Sequence, residues 1–401
     1  MSTQADEGNL SYALAQFITS VEFSQLSTQA IRQTRYALLD ALGVSIAAST
    51  LGEGVNTFID WVQEQQVPGR CSVFGQTFLT SASMAAFANG SLAHALDFED
   101  SHDQALVHPN AAVIPAVLAV AQEQGNISGK DLLTAIAVGC EVSCRLGFAA
   151  ASALDKNSWY PPPIFSAYGA TAAVAKLLAL NEQQILDAFS LTLSQATCSA
   201  QIKHNSRSHI RAIRDAFPAQ TGVVSAQLAK KGLLGFSQPF EGRDGFFAGF
   251  SRGEFDAAAL TESLGECFAI EDVSFKPWPC CRGTHIPIEL ALRLCRERHL
   301  SSADIDSITV TSNALNRMLA EPISNKRAPI TAIDAKFSIP FVLPVPSLAG
   351  KLTLILFPYH HLATLLFWIW QRALIIGLTR HMITPLWPVL NFIYAMAAGL
   401  Y

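Results

Sequence analysis

Apolar residues recur at helical spacing through most of the first two-thirds of the chain. Ser27 precedes one such segment and has the residue type of a helix N-cap. A segment rich in Ala, Ser and Met predicts a tightly packed helix over residues 80–95. Capping sequences at Ser128 and Asn181 predict two more helices, over residues 132–146 and 185–196.

The pattern changes near residue 269, where Pro277 and Pro279 interrupt the helical run. Beyond them, the spacing predicts an amphipathic helix over 284–299, and alternation predicts a strand over 306–311. We therefore predict a mainly α protein with a smaller α+β lid. The large all-helical domain covers residues 1–268. The lid is a mixed α/β domain that covers residues 269–345 and is truncated.

The remaining residues, 346–401, form an unusual apolar tail. No Asp or Glu follows Asp334, and residues 362–370 are intensely apolar. This run is shorter than the ~20 apolar residues that a spanning helix needs, so we predict no membrane span. We interpret the tail as the result of a frameshift, an intron read-through or a degraded end, with a membrane tether as the alternative.

Composition limits the function classes. A length of 401 residues favours two domains, and 50% hydrophobic against 15% charged residues indicates large buried helices and a buried subunit interface. A net charge of −5 argues against a general nucleic-acid binder. Eight cysteines behind a polar, acidic N-terminus favour reduced thiols and a cytoplasmic protein.

Residues 94–109 carry the strongest chemical signal, since four acids and three histidines lie between two apolar segments. Such a cluster is costly to bury, so it is either solvated or functional. Pro109 predicts that His108 lies at a helix N-terminus, where the partial positive charge favours neutral imidazole and attracts anions. The pattern indicates an acid–base site facing an anionic ligand. A capping loop and a divalent metal site are the alternatives.

Cations for an anionic substrate are concentrated in residues 203–214. Arg211 is the best candidate to contact a carboxylate, with Lys203, His209 and Arg214 as further candidates, although charge runs are often solvated faces. Cys281 and His285 flank the Pro-rich turn at the predicted domain boundary. A ligand cleft is common at such a boundary, and a packed hinge is the alternative.

Several motifs in register resemble the MmgE/PrpD family. They are Asp97-Phe-Glu-Asp-Ser101, His108-Pro109 and the segments 211–222, 275–285 and 335–341. The resemblance runs from about Tyr12 to Phe341. It implies a helical domain with a lid, a homodimer, small di- and tricarboxylate substrates, and no metal or organic cofactor.

The resemblance also implies roles for single residues. Asp97 matches an active-site Asp of the family, and His108 matches a loop His, which we predict to be the principal proton-transfer group. Ser101 stands where some members have Thr and keeps the hydroxyl, so we predict that it binds a substrate carboxylate.

Two positions differ from the family pattern. Arg211 stands where members have Lys, which retains the cation but excludes proton donation. Tyr160 stands where many members have His, so a phenol replaces an imidazole. Cys281 occupies a position that is His or Cys in members. We predict Tyr160 as catalytic, and Lys203, Arg211, Cys281 and His285 as substrate-binding.

The expected activity is that of a cofactor-independent lyase acting on a small di- or tricarboxylate, by loss of water or of CO2. The family includes dehydratases of 2-methylcitrate and decarboxylases of cis-aconitate. It also includes epimerases of iminodisuccinate, so epimerisation of a substituted succinate is an alternative. An inactive protein from a degraded gene, or a membrane-tethered non-enzyme, is the alternative that the tail suggests.

Overall fold

The computed structural model describes residues 9–205, 207–344 and 375–378. The chain divides into two compact units. The helical unit contains Met1–Ala95, Glu99–Ile202 and Ile210–Phe275. The C-terminal unit contains Leu96–Phe98, Lys203–His209 and Lys276–Tyr401. The predicted tail, residues 346–401, lies outside the described residues except for 375–378.

Helices build the helical unit, as expected for a mainly α protein. Two very short strands form an antiparallel pair in which Cys71 is opposite Thr80. The elements are α1 (Leu10–Ser20), α2 (Thr28–Leu51), α3 (Val55–Glu64), β1 (Cys71–Ser72), β2 (Leu79–Thr80), α4 (Ala82–Ala95), α5 (Asn110–Gln124), α6 (Gly129–Lys156), α7 (Pro161–Leu177), α8 (Glu182–Leu193), α9 (Ile210–Ile213), α10 (Ala216–Lys230), α11 (Phe246–Ser251) and α12 (Ala257–Thr261).

Side-chain caps begin the helices that the sequence predicted. The Ser27 hydroxyl accepts a hydrogen bond from the Ala30 amide at 2.9 Å, at the start of α2. Asn181 and Gln184 form a reciprocal capping box at the start of α8. Each cap satisfies a backbone N–H that has no partner within its helix, which favours helix initiation there. The predicted helices are confirmed at these places.

Small residues let the long helices approach closely. A Cβ added at Gly139 of α6 would lie 2.7 Å from the backbone oxygen of Gly169 in α7. One added at Gly222 of α10 would lie 2.6 Å from the Ala170 side chain of α7. Such contacts would force the backbones apart, so glycine determines the helix spacing here. The tight packing predicted for residues 80–95 is seen at Gly90 of α4, where an added Cβ would lie 2.9 Å from the Ala219 side chain of α10.

One helix in the described part of the chain is long and apolar enough to cross a membrane. It is α6, and 89% of its 18-residue apolar window is buried inside the protein. Helices α2 and α3 meet the same criterion together, but the chain bends by 90° between them. Burial of this kind is typical of a core helix.

The C-terminal unit has shorter elements around a small core that includes Cys280, Ile288 and Phe341. Strands β3 and β4 pair in parallel, with Thr309 opposite Ile375. The predicted helix and strand are both present, although the strand begins three residues later than expected. The elements are α13 (His285–Glu297), β3 (Thr309–Ser312), α14 (Ile323–Arg327), α15 (Ala332–Lys336), α16 (Ile339–Val342) and β4 (Ile375–Leu378).

Candidate active site

Several polar residues in and beside the connection between α4 and α5 are buried within the helical unit. His94, in the last turn of α4, is fully buried, and Glu99 and Asp100 are each at most 2% exposed. Burying ionisable groups costs free energy unless they are paired or hydrogen-bonded. The cluster is therefore not a solvated loop, and its internal contacts must compensate for lost hydration.

Glu99 lies between two imidazoles. Its Oε1 is 2.9 Å from Nδ1 of His94 and 3.2 Å from Nδ1 of His108. Nδ1 of His108 also lies 2.8 Å from the backbone oxygen of Asp100. A carbonyl oxygen can only accept, so we assign the proton of the neutral ring to Nδ1. This tautomer makes Nε2 of His108 an acceptor, as a general base requires.

Asp100 supports the start of α5. Its carboxylate accepts hydrogen bonds from the Asn110 backbone amide, at 3.4 Å, and from the Asn110 side-chain amide. Burial raises the pKa of Asp100 to about 8, and the nearby Asp40 and Glu99 act in the same direction, while Asn110 opposes the shift. Asp100 therefore carries a proton at neutral pH, which reduces the negative charge beside Glu99.

A second set of polar groups reaches the cluster from the α9–α10 connection. Asp215 Oδ2 is 3.7 Å from His94 Nδ1 and 3.2 Å from Arg214 Nε. Gly90, one turn before His94 on α4, permits this approach. A Cβ added there would lie 2.5 Å from the Asp215 backbone oxygen.

Tyr160 is the N-cap of α7 and lies under two guanidinium groups. Its hydroxyl accepts a hydrogen bond from Arg214 Nη1 at 2.7 Å, a contact that uses an oxygen lone pair and not the phenol proton. The guanidinium carbons of Arg214 and Arg211 lie 4.9 and 5.8 Å from the Tyr160 ring centroid. Both distances fall within the range of a cation–π interaction.

Ser101 is fixed by its backbone. It forms a two-way bridge with Ser274, in which each amide donates to the other residue's carbonyl oxygen at 2.9 Å. Burial of Ser101 at 4% exposure limits its hydroxyl to partners within the protein or a bound ligand.

Within the C-terminal unit, a lysine holds Asp97 in a strained backbone conformation. Lys276 Nζ donates to Asp97 Oδ1 at 2.8 Å and to the Asp97 backbone oxygen at 3.1 Å. The φ of Asp97 is +49°, in the left-handed region that non-glycine residues rarely adopt. Lys336 Nζ donates to the neighbouring Leu96 oxygen at 2.6 Å. Two buried ammonium groups thus fix this short segment.

His285 begins α13 and is buried. Its Nε2 lies 3.0 Å from the Cys280 carbonyl oxygen, which requires a donated proton. Burial, reinforced by Lys276, lowers the pKa of His285 to about 4, so the ring is neutral at physiological pH. These contacts are those of a histidine that supports the turn before α13.

Cys281 and Lys203 are both half-buried in the C-terminal unit. The Cys281 amide donates to the Lys336 oxygen at 3.0 Å, and its carbonyl accepts from Thr284. Lys203 ends a short 3-10 turn, Ala200–Lys203.

The eight predicted site residues are divided equally between the units. His108, Tyr160, Ser101 and Arg211 belong to the helical unit, and the remaining four, Asp97, Lys203, Cys281 and His285, to the C-terminal unit. Buried contacts bring His108 and Tyr160 into one polar cluster of the helical unit.

Sequence reasoning missed Asp215 and gave Glu99 no role other than that of a metal ligand. Arg214 was only a secondary candidate, although it contacts Tyr160 directly. Asp215 directly follows Arg214 in the basic stretch, and a lone carboxylate among cations was the available signal.

Comparison with known proteins identifies the class to which this fold and site belong. The sequence model of the MmgE/PrpD N-terminal domain matches residues 12–258, and that of the C-terminal domain matches residues 278–363. The chain belongs to the MmgE/PrpD family. The family match extends past Phe341, where the sequence alone had placed the end of the resemblance.

Similar proteins are named for two enzyme activities, decarboxylation of cis-aconitate and dehydration of 2-methylcitrate. A cis-aconitate decarboxylase-like protein of Aspergillus oryzae is 26% identical over 89% of this chain and 77% of its own length. The mouse cis-aconitate decarboxylase is 28% identical over 85% of this chain and 70% of its own length. The 2-methylcitrate dehydratase of Escherichia coli K12 is 26% identical over 85% and 71%. Both named reactions are lyase reactions on small polycarboxylates.

Proposed function

We propose that this chain is a lyase that acts on a small di- or tricarboxylate through proton transfer at His108. The observation that carries the proposal is the pair of Nδ1 contacts of His108, to the Asp100 oxygen and to Glu99. With the proton on Nδ1, Nε2 carries a lone pair that is able to accept a proton from the substrate. The relatives named as a decarboxylase and a dehydratase support the lyase class.

For loss of water, His108 Nε2 removes a proton from the carbon next to a carboxylate. The electron pair of that C–H bond forms the new double bond, and the C–O bond of the hydroxyl breaks. The departing oxygen needs a proton, which the Tyr160 hydroxyl is able to donate. The Arg214 guanidinium that binds Tyr160 compensates for the charge left on the phenol oxygen.

For loss of CO2, the electron pair of a C–C bond moves onto the carbon that held the carboxylate. A protonated group then returns a proton to that carbon. Either reaction needs fixed cations, because the substrate carries two or three negative charges. We assign this role to Arg211, with Ser101 as a hydrogen-bond donor to a carboxylate.

Four residues of the C-terminal unit stay in the proposal with supporting roles. Asp97 orients a polar group of the site, and Lys203 and Cys281 contact the substrate. His285 was predicted to do the same, but its contact with Cys280 favours support of the turn.

We also propose that the protein works as a cytoplasmic homodimer without a metal or organic cofactor. The family resemblance implies the dimer and the absence of a cofactor, and the sequence composition favours the cytoplasm. Light scattering of the purified protein, cell fractionation and element analysis test these three points.

The decisive experiment is incubation of the purified chain with 2-methylcitrate, citrate, cis-aconitate and iminodisuccinate in D2O, followed by NMR. An alkene product with loss of water identifies a dehydratase, and loss of one carboxylate identifies a decarboxylase. Deuterium exchange with inversion alone would replace the lyase by an epimerase. A folded protein that converts none of the four would contradict the proposal and favour the inactive alternative.

A further inference from the structure

Buried side chains connect the two proton-transfer candidates of the helical unit. Each neighbouring pair lies within 4 Å, and five contacts lead from one candidate to the other. In order they are His108 to Glu99 (3.2 Å), Glu99 to His94 (2.9 Å), His94 to Asp215 (3.7 Å), Asp215 to Arg214 (3.2 Å) and Arg214 to Tyr160 (2.7 Å).

His94 lies inside this series, two contacts from His108 and three from Tyr160. Its ring is fully buried, so it has no direct access to solvent. Nδ1 lies 2.9 Å from Glu99 Oε1 and 3.7 Å from Asp215 Oδ2, and neither contact has the geometry of a hydrogen bond. Nε2 has no hydrogen-bond partner within the described part of the chain. His94 therefore contacts Glu99 and Asp215 through Nδ1.

We propose that His94 is a positioning residue, which holds Glu99 against His108 and Asp215 against Arg214. Its catalytic consequence rests on the proposed function. A neutral imidazole carries one N–H, and the partner of one nitrogen decides which nitrogen that is. If Glu99 turned away, His108 would lose one of its two Nδ1 acceptors. If Asp215 turned away, Arg214 would lose a partner that orients it toward Tyr160.

The cluster carries several charges that respond to one another. Glu99 and His108 face His94 from the α4–α5 connection. Asp215, which is paired with Arg214, faces it from the α9–α10 connection. Asp40 of α2 acts on Asp100. Interacting groups of this kind titrate as a set. We therefore expect the rate–pH profile to report the whole cluster.

Two substitutions separate the role of Nδ1 from that of ring volume. In His94→Asn the side-chain amide stands where Nδ1 stood, so a nitrogen donor still faces Glu99 and Asp215 at that position. In His94→Gln the amide stands near the former Nε2, so that donor is lost. We expect His94→Gln to lower kcat about 10- to 100-fold with KM changed less than about threefold. His94→Asn should recover most of that loss and show a rate–pH profile like that of the natural protein.

A second measurement needs no substrate. In 15N NMR of the substrate-free protein, His108 should be the Nδ1–H tautomer in the natural chain and in His94→Asn. In His94→Gln it should become a mixture of tautomers. If His94→Gln does not fold, the natural chain still tests the proposal, since His108 observed as the Nε2–H tautomer would overturn it.

His102 provides a matched control in the same segment. It is also buried, and its Nδ1 accepts a hydrogen bond from the Ala105 amide at 3.2 Å. It is not one of the six residues that the five contacts connect. His102→Asn should change stability without changing the His108 tautomer or the rate–pH profile.

The outcomes are distinct. Equal losses in His94→Asn and His94→Gln, with an unchanged His108 tautomer, would show a merely structural role and overturn the proposal. A stoichiometric divalent cation bound to His94 in the purified protein would also overturn it. A tautomer change in a chain that converts no polycarboxylate would leave the positioning role standing and reject the proposed function.

Discussion

The two units stabilise buried carboxylates in different ways. In the helical unit, Glu99 lies against the imidazoles of His94 and His108, and Asp215 lies between His94 and the Arg214 guanidinium. Imidazole is the side chain that most readily gains and loses a proton at physiological pH. In the C-terminal unit, Asp97 is matched by the ammonium group of Lys276. Lysine normally titrates far above neutral pH. The comparison indicates that the first cluster is suited to proton transfer and the second to holding a backbone segment in place.

Replacing Lys276, the cation that pairs with Asp97, is the strongest test of this difference. Lys276→Met would leave the Asp97 carboxylate buried beside an apolar chain, at a cost of about 3–5 kcal/mol in the free energy of unfolding. Urea unfolding followed by circular dichroism measures the loss. The double variant Lys276→Met with Asp97→Asn should recover most of it. Equal stability of the single and double variants would show that the ion pair is not the cause.

Removing the proton-transfer group should affect rate and leave the fold intact. His108→Gln is expected to lower kcat about 100-fold or more, because the amide that replaces the ring cannot take up the proton that Nε2 removes. Turnover of the substrate identified by NMR measures the effect, with unfolding midpoints as the control for folding. Near-natural turnover in a folded variant would exclude His108 from the mechanism.

The raised pKa of Asp100, about 8, makes a prediction for stability. Between about pH 4 and 8 the unfolded chain has lost the Asp100 proton while the folded chain keeps it. This contribution to stability is therefore complete at low pH and is lost as pH rises to about 8, by up to about 1.4 kcal/mol per pH unit. Asp100→Asn should remove this slope from urea midpoints measured across that range. An unchanged slope would assign the pH dependence to other groups.

The smallest effect is expected at Tyr160. Tyr160→Phe keeps the ring beneath the two guanidinium groups and removes the hydroxyl that accepts from Arg214. If Tyr160 assists a departing hydroxyl, kcat should fall about tenfold or more, with little change in stability. A dehydration rate equal to that of the natural chain would make Tyr160 a packing residue.

Local signals predicted the parts of the fold that depend on neighbouring residues. Ser27 and Asn181 marked helix starts because a cap needs only the next few backbone amides. His108 was found because Pro109 fixes the start of the following helix. The aromatic core was not predicted. Tyr168 and Phe240 lie 5.1 Å apart between ring centroids but 72 residues apart in sequence.

The same limit explains the parts of the site that sequence reasoning missed. His94 and Asp215 are 121 residues apart, and their contact depends on the crossing of α4 with the α9–α10 connection. For His285 the residue type indicated ligand contact, and the sequence did not predict the hydrogen bond that its ring donates to the Cys280 backbone. Composition and spacing identify the chemical groups, but tertiary packing decides which of them meet.

Gly90 has a consequence for the spacing between His94 and Asp215. Because Gly90 has no side chain, the backbone at Asp215 packs directly against α4. This contact lies one helical turn from the imidazole of His94. Adding a methyl group at Gly90 would act as a spacer and would widen the gap between His94 and Asp215. If His94 acts as proposed, the rate would then depend on residue 90, which lies against the Asp215 backbone.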